Sequence, residues 1–192
     1  KALLEYFPAF SCDPEIPGRE LCISNPKVQD FIKAAIRELA SLFPESNYIH
    51  LGGDEADDVG WYKCPRCRAA LENLKSTDMR SLERAFMLDL CNYVESLNRK
   101  PMVWGTGSAM PASVTVQVWQ NILEFGHILR NRNQCVNSVH SSYYFDYPAN
   151  MYEPCQPWMF GLTEENVYLA DSRIHYGPGI DEFLLGTEAC LW

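Results

Sequence analysis

The sequence predicts an α/β fold built on a parallel sheet. Short apolar segments alternate with longer amphipathic segments along the 192 residues, and this alternation is typical of parallel strands connected by helices. Nearly every short segment ends at a glycine, a histidine or a tryptophan. Hydrophobic residues make up 47% of the chain and charged residues 21%, a composition typical of a packed globular domain and not of a disordered chain.

The first predicted helix covers residues 26–42 and has signals at both ends. Asn25 suits the N-cap, Pro26 suits the first helical position, and Pro44 ends the run. Between these residues apolar side chains recur at helical spacing, which predicts one apolar face. Residues 1–25 contain several prolines and are predicted to form a loop.

Five segments have the short, β-prone and apolar character of buried strands. We predict strands at residues 47–51, 101–104, 114–119, 135–139 and 183–186. Apolar periodicity or a capping threonine predicts three further helices, at residues 79–97, 121–131 and 163–173. Residues 61–67 and the Tyr- and Pro-rich stretch after residue 139 are predicted to be loops.

Five strands could supply part of an eight-stranded (β/α)8 barrel, which typically needs about 250 residues. A small doubly wound sheet is the alternative fold. It is less favoured because Asp54 and Glu55 follow the first strand, where a phosphate-binding loop requires free backbone amides and no negative charge. We therefore predict a partial barrel of about five strands, with residues 1–192 forming a single incomplete domain.

The chain is acidic, with 16 Lys and Arg residues against 25 Asp and Glu residues and a formal charge of −9. This charge argues against nucleic acid or an anionic membrane as a partner, because both are recognised through phosphates. No segment approaches the roughly 18 apolar residues of a membrane-spanning helix. No targeting signal is visible at the start of the sequence.

An acidic pair follows the first predicted strand, in the segment His50-Leu51-Gly52-Gly53-Asp54-Glu55. Ligands bind at this edge of a parallel sheet. The two glycines let the backbone leave the pleat, so that both carboxylates could face one cavity. If one of them is more buried, repulsion and desolvation favour its protonated form, as a general acid requires. A solvated turn is the alternative interpretation.

Aromatic residues occur where the later strands end. Trp104 and Trp119 end two strands, Tyr144 follows a third, and Trp192 follows the last. Aromatic faces pack against the apolar C–H faces of sugars, so their repetition at one edge favours a carbohydrate site. Each of these residues taken alone is more often part of a core.

The eight cysteines are irregularly spaced, and only Cys64-Pro65-Arg66-Cys67 has the CxxC form. A zinc site would require a second pair, or two histidines at ligand spacing, and neither is evident. Free thiols, one or two disulfides and a metal clip remain open from the residues alone. We predict no metal site.

Residues 48–55, with Trp61 and the CxxC motif after them, resemble the catalytic signature of glycoside hydrolase family 20, the β-N-acetylhexosaminidases. Residues 21–44 resemble the family's third barrel helix. The segments around Trp104, Trp119, residues 144–146 and residues 186–192 resemble its later strand ends, in the family's order. The resemblance implies a (β/α)8 barrel of which this chain supplies strands 4 to 8. It also favours a secreted, periplasmic or lysosome-like location over the cytoplasm.

The family resemblance implies retaining hydrolysis of terminal β-linked N-acetylglucosamine or N-acetylgalactosamine, assisted by the 2-acetamido group of the substrate. Glu55 would be the general acid and base, Asp54 would orient the acetamido N–H, and Tyr144 would donate to the acetamido oxygen. The implied substrate-binding residues are His50, Trp104, Trp119, Asp146 and Trp192. The implied partner is an amino-sugar glycoside or oligosaccharide, and no metal or organic cofactor is expected.

Other functions remain possible from the sequence. A catalytically silent, carbohydrate-binding relative could use the same aromatic pocket. A chitinase-type hydrolase is disfavoured because Asp54 and Glu55 are adjacent and do not follow that family's pattern of spaced acids. A metal hydrolase is disfavoured because the four histidines are far apart in the sequence.

Overall fold

The structure is a computed structural model that describes residues 2–13, 20–105, 110–120, 122–150, 152–171 and 179–192. The chain divides into two compact units, Lys1–Pro101 and Met102–Trp192. Within the described residues no helix has the length and apolar character needed to cross a membrane.

The first unit is mostly helical and contains one complete strand, β1 (Tyr48–His50). Strand β2 (Lys100–Trp104) begins beside it, because the Lys100 N–H donates to the Asn47 carbonyl at 2.8 Å. The helices are α1 (Ala2–Tyr6), α2 (Pro26–Leu42), α3 (Val59–Lys63), α4 (Pro65–Asn73) and α5 (Met79–Ser96). A short 3-10 helix covers Pro8–Phe10.

The two long helices begin where the sequence predicts. The Asn25 side chain accepts a hydrogen bond from the Lys27 N–H at 3.1 Å, which confirms the predicted N-cap of α2. Helix α5 has the same kind of cap, because Asp78 accepts from the Arg80 N–H at 3.0 Å. Both helices also end within one residue of their predicted ends.

Two predicted loops of the first unit contain helices. Residues 1–25 were predicted to be a loop but include α1 and the 3-10 helix, while residues 14–19 lie outside the described residues. The predicted loop at residues 61–67 belongs to α3 and α4. These helices bury Trp61 and Cys67 in a hydrophobic core, and such tertiary burial overrides a weak local preference.

The second unit contains a parallel sheet in which each strand pairs with the next along the chain. The strands are the rest of β2, β3 (Thr115–Val118), β4 (Cys135–Asn137) and β5 (Leu184–Thr187). Strand β3 is buried along its whole length, as the centre of a sheet with both faces covered should be. The helices of this unit are α6 (Ile122–Asn131), α7 (His140–Tyr143) and α8 (Glu164–Tyr168), with a 3-10 helix at Ile180–Glu182.

These pairings give the strand order β1-β2-β3-β4-β5. This order follows the chain, as it does in a segment of a (β/α)8 barrel. It confirms the predicted α/β class and the five strands. That residues 1–192 form a single incomplete domain stays a prediction.

Helix α8 is shorter than predicted. Its start is confirmed by a capping box, in which Thr163 Oγ1 accepts from the Asn166 N–H and Asn166 Oδ1 accepts from the Thr163 N–H, both at 3.1 Å. The helix ends at Tyr168, and residues 172–178 lie outside the described residues.

Candidate active site

The aromatic residues predicted at the strand ends of the second unit come together. The rings of Trp104 and Trp192 lie 6.2 Å apart, and the rings of Tyr144 and Trp192 also lie 6.2 Å apart. Trp119 packs against the same group. We call these four residues the aromatic cluster.

Backbone hydrogen bonds at the strand ends bring these segments together. The carbonyl of Trp119 accepts from the N–H of His140, the first residue of α7, at 2.8 Å. Cys190 pairs with the chain around Tyr144, because its N–H donates to the Tyr143 carbonyl and its carbonyl accepts from the Phe145 N–H, both at 2.8 Å. The order of the strands therefore brings Tyr144 beside the segment that leads to Trp192.

The aromatic cluster has a buried base and an accessible side. Tyr144 is 8% exposed and packs with Tyr147, Leu162 and Cys190 in a small core. Trp192, in contrast, is 73% exposed. A flat ligand could therefore reach the cluster from solvent and contact the rings.

Two buried polar atoms at this site have no hydrogen-bond partner within the described part of the chain: Trp119 Nε1 and Asp146 Oδ1. Buried polar groups are nearly always paired, because an unpaired one costs about 1–3 kcal/mol. One of these atoms is a donor and the other is an acceptor. A sugar hydroxyl can accept from the one kind of group and donate to the other.

His140 and Tyr147 support the aromatic cluster, and the sequence analysis did not single them out. His140 Nδ1 lies 3.0 Å from the Tyr147 hydroxyl, and the His140 ring contacts those of Tyr144 and Phe160. Burial lowers the pKa of His140. Burial, and secondarily the charge of Asp146, raises the pKa of Tyr147. A neutral imidazole can therefore accept from the Tyr147 hydroxyl, which fixes both rings.

Cys190 contributes to packing at this site. Burial, and secondarily the charge of Glu188, raises the pKa of Cys190 to about 11. Its thiol is therefore neutral near pH 7, and a neutral thiol is a poor nucleophile. We conclude that Cys190 forms part of the wall behind Tyr144.

The acid pair lies in the first unit, on a turn with unusual backbone angles. Gly52 and Gly53 have φ values of +71° and +92°, and Glu55 has a φ of +49°. The Gly52 N–H donates to His50 Nδ1 at 3.0 Å, so His50 shapes the turn. A left-handed conformation costs a residue with a side chain about 1–2 kcal/mol, and such strain is found most often at functional sites.

Asp54 and Glu55 are both exposed. The expected difference in burial between the two carboxylates is not found, because both are exposed. Gly53 faces α5, because a Cβ at this position would lie 2.7 Å from Cε of Met87. Since Cε is the flexible end of that side chain and can move away, the left-handed φ of Gly53 is what favours a glycine here.

A second cluster in the first unit has metal-ligand chemistry. The sulfur atoms of Cys12, Cys22, Cys64 and Cys67 all lie within 4.8 Å of one another. We call these residues the four-cysteine cluster. The CxxC motif, for which the sequence shows no second pair, therefore has one in space, formed by Cys12 and Cys22. The expected absence of a metal stays a prediction. Cys12 and Cys22 are too far apart in the sequence to look like a pair, but an antiparallel bridge between Ser11 and Leu21 brings them together.

The strand order and the aromatic cluster place the chain among α/β proteins that bind ligands at the ends of parallel strands. Comparison with known proteins gives a specific result. Residues 9–192 match the family described as "Glycosyl hydrolase family 20, catalytic domain". The chain belongs to this family.

Individual relatives agree with this assignment. The chain is 28% identical over 207 aligned residues to a beta-hexosaminidase of Akkermansia muciniphila, covering 100% of this chain and 42% of that protein. The crystal structure of a beta-N-acetylhexosaminidase superposes with a TM-score of 0.88 at 26% identity, over 100% of this chain and 44% of that one. A beta-N-acetylhexosaminidase from Bacteroides fragilis gives a TM-score of 0.79 at 26% identity, over 100% of this chain and 40% of that one. The chain thus spans less than half the length of these relatives.

Proposed function

We propose that the protein is a retaining exo-glycosidase that removes terminal β-linked N-acetylglucosamine or N-acetylgalactosamine. The observation that carries the proposal is the aromatic cluster with its unpaired donor and acceptor, Trp119 Nε1 and Asp146 Oδ1. A site with apolar faces and a few polar groups suits a sugar that carries an N-acetyl group. Membership of glycosyl hydrolase family 20 and relatives named beta-hexosaminidase support the same activity.

The proposed chemistry uses the substrate's own acetamido group as nucleophile. Its carbonyl oxygen attacks the anomeric carbon as the glycosidic bond breaks, and Glu55 gives its proton to the leaving oxygen. The product of this step is an oxazolinium-type intermediate and a free alcohol. Glu55, now a carboxylate, takes a proton from water, and the resulting hydroxyl adds to the anomeric carbon and reopens the ring with retention.

Asp54 and Tyr144 are proposed to hold the acetamido group during this attack. Asp54 accepts the acetamido N–H and stabilises the positive charge that develops on nitrogen, and Tyr144 donates its hydroxyl to the attacking oxygen. Tyr144 is buried, and a hydrogen bond is electrostatically stronger in surroundings of low dielectric constant. Both contacts strengthen as charge develops, so they act on the transition state.

The substrate-binding roles follow from the chemistry of the side chains. Trp104, Trp119 and Trp192 are proposed to pack against the sugar ring and the N-acetyl methyl group. Trp119 Nε1 would donate to a sugar oxygen, and Asp146 would accept from an outer hydroxyl. His50 is proposed to support the acid pair through the turn that its ring shapes.

The test compares two aryl β-glycosides that differ only at carbon 2, one with acetamido and one with hydroxyl. We expect the wild-type protein to hydrolyse the acetamido substrate and hardly the hydroxyl substrate. Asp54→Asn should lower kcat for the acetamido substrate about 10²–10³-fold. It should lower the already slow hydrolysis of the hydroxyl substrate only slightly. The matched control is Asp57→Asn, an exposed neighbour whose Oδ1 accepts from the Val59 N–H. Equal hydrolysis of both substrates by the wild type would refute the proposed mechanism.

A further inference from the structure

The four-cysteine cluster is formed by three separate segments of the first unit. Cys12 follows the first 3-10 helix, Cys22 follows the bridge between Ser11 and Leu21, and Cys64 and Cys67 lie at the start of α4. The closest sulfur–sulfur distances are 3.8 Å from Cys22 to Cys64, 3.9 Å from Cys22 to Cys67 and 3.9 Å from Cys12 to Cys67. The four thiols therefore point to one common centre.

These distances match tetrahedral coordination of a single ion. Zinc binds thiolate sulfur at about 2.3 Å, and sulfurs at the corners of such a tetrahedron lie about 3.8 Å apart. A disulfide requires a sulfur–sulfur distance of about 2.05 Å, and all four cysteines are free. A multi-iron cluster requires wider spacing, because its thiolates bind different iron atoms.

Three of the four cysteines are buried, and Cys12 is partly exposed. Cys22, Cys64 and Cys67 are buried in a hydrophobic core with Trp61, Leu71, Met79 and Leu82. Thiolates without a cation would be costly in such a core, and a bound dication offsets half of the charge of four thiolates. Four protein ligands leave no open position, which is the pattern of a structural site and not of a catalytic one.

Two further features favour thiolate ligands at this place. Cys64 is the N-cap of α4, and Cys67 lies in its first turn, where the positive end of the helix dipole favours a negative sulfur. Ser24 lies beside the Cys67 sulfur, and its buried hydroxyl has no partner of standard hydrogen-bond geometry within the described residues. Hydrogen bonds from neighbouring groups to the ligands are usual in metal sites.

We propose that the four-cysteine cluster binds one Zn²⁺ as a structural site. The ion would join the two segments that carry Cys12 and Cys22 to the start of α4. The core around it also contains Ala56, the residue directly after the acid pair, and Trp61 of α3. Trp61 Nε1 donates to the Leu21 carbonyl at 2.9 Å, which links α3 to the cysteine-bearing segment. Zinc binding would therefore stabilise the position of the chain directly after Asp54 and Glu55.

The experiment measures zinc in the complete protein, purified under reducing conditions without added metal. Elemental analysis should find about one zinc per chain. X-ray absorption at the zinc edge should show four sulfur neighbours at about 2.3 Å. Cys12→Ser and Cys67→Ser should each retain at least tenfold less zinc after dialysis against a weak chelator. Cys91→Ser and Cys135→Ser, which remove buried cysteines outside the cluster, should retain it fully.

Hydrogen exchange gives a second readout that does not depend on catalysis. Removing the ion with a strong chelator should increase exchange in residues 56–67 at least tenfold, and added zinc should reverse the change. Absence of stoichiometric zinc would overturn the proposal, and so would disulfides between these cysteines or tight binding of iron instead of zinc. If the serine variants fail to fold, the sulfur coordination of the wild-type protein decides the question.

Discussion

The ring centroids of Trp104 and Trp192 lie 6.2 Å apart at an interplanar angle of 52°, although the strands that precede them are not neighbours. Trp104 ends β2 and Trp192 follows β5, with β3 and β4 between them in the sheet. Adjacent strands are about 4.8 Å apart, so β2 and β5 would be about 14 Å apart in a flat sheet. Trp192 lies beyond the end of β5 at Thr187, so the segment after β5 carries its ring back across the end of the sheet to Trp104.

Tyr144→Phe tests the proposed contact with the acetamido oxygen. The substitution removes one hydroxyl and leaves the buried ring in place, so we expect folding to be retained. Since the lost hydrogen bond strengthens in the transition state, kcat should fall about 10²–10³-fold while KM changes little. Steady-state kinetics with an aryl N-acetylglucosaminide measures both. The control is Tyr152→Phe, at a tyrosine that is 89% exposed. An unchanged kcat for Tyr144→Phe would remove Tyr144 from the mechanism.

Glu55→Gln should affect substrates according to their leaving group. A poor leaving group needs its oxygen protonated, and general acid catalysis contributes about 10²–10⁴-fold. We therefore expect a large decrease in the rate of hydrolysis of a chitobiose-type disaccharide. With a dinitrophenyl glycoside, the first step, in which the phenol leaves, should be slowed much less. Pre-steady-state release of the phenol separates that step from hydrolysis of the intermediate. Equal losses on both substrates, or a similar pattern for Asp57→Asn, would contradict the assignment.

Asp146→Asn tests whether Asp146 serves to bind the sugar or to stabilise the fold. Asp146 Oδ1 is buried without a partner among the described residues, so the neutral amide should leave the free energy of unfolding unchanged or raise it. The same change weakens the acceptor for a sugar hydroxyl. We expect Kd for N-acetylglucosamine to rise about tenfold, equivalent to about 1.4 kcal/mol, as measured by calorimetry. Asp181→Asn, at an exposed carboxylate, should change neither quantity. Loss of stability without loss of affinity would show that Asp146 is a structural residue.

Gly53→Ala and Gly179→Ala form a matched pair, because both glycines have a left-handed backbone with φ of +92° and +98°. The backbone strain should cost each variant about 1–2 kcal/mol of stability, measured by urea unfolding. Gly53 directly precedes the acid pair and its Cβ would displace the Met87 methyl group, whereas a Cβ at Gly179 would meet no atom of the described residues within 4 Å. Activity should therefore fall at least tenfold in Gly53→Ala alone. Equal activities would show that the turn tolerates displacement.

The five strands and the two long helices could be predicted from the sequence because they depend on local signals, whereas α1, α3, α4 and α7 lie in predicted loops. The caps Asn25 and Thr163 fix helix starts, and Trp104 and Trp119 could be assigned to strand ends from short apolar runs. The roles of Asp54, Glu55 and Tyr144 came from family resemblance and stay predictions.

The four-cysteine cluster could not be predicted, because its geometry depends on tertiary contacts. Phe10 and Cys22 lie side by side, with the Cys22 N–H donating to the Phe10 carbonyl at 2.7 Å. No periodicity in the sequence indicates that pairing. His140 was missed for a similar reason, since it looks isolated in the sequence until α7 brings it beside Tyr147.

The last prediction concerns the pH dependence of stability. Burial against Tyr144, Tyr147 and Phe160 lowers the pKa of His140 below its unfolded value of about 6.5. The unfolded chain therefore takes up this proton at a higher pH than the folded chain does. It follows that His140 lowers the free energy of unfolding as pH falls below about 6.5, down to the lowered folded-state pKa. Above pH 7 the contribution is constant, because the ring is neutral in both states.

Urea unfolding between pH 5 and pH 8 measures this contribution when the wild type is compared with His140→Gln. The variant loses the ring contacts and should be less stable at pH 7.5, but its stability should decline less between pH 7 and pH 5. The difference in slope is at most about 1.4 kcal/mol per pH unit, the limit for one proton. His127→Gln is the control for the loss of a histidine as such, because it removes a ring whose Nδ1 lies 3.1 Å from Arg130 Nη2 in an exposed hydrogen bond. If the free energy of unfolding of the wild type and of His140→Gln changed in parallel with pH, His140 would have the same pKa in the folded and unfolded chains. The packing around His140 would then not explain any acid sensitivity of the second unit.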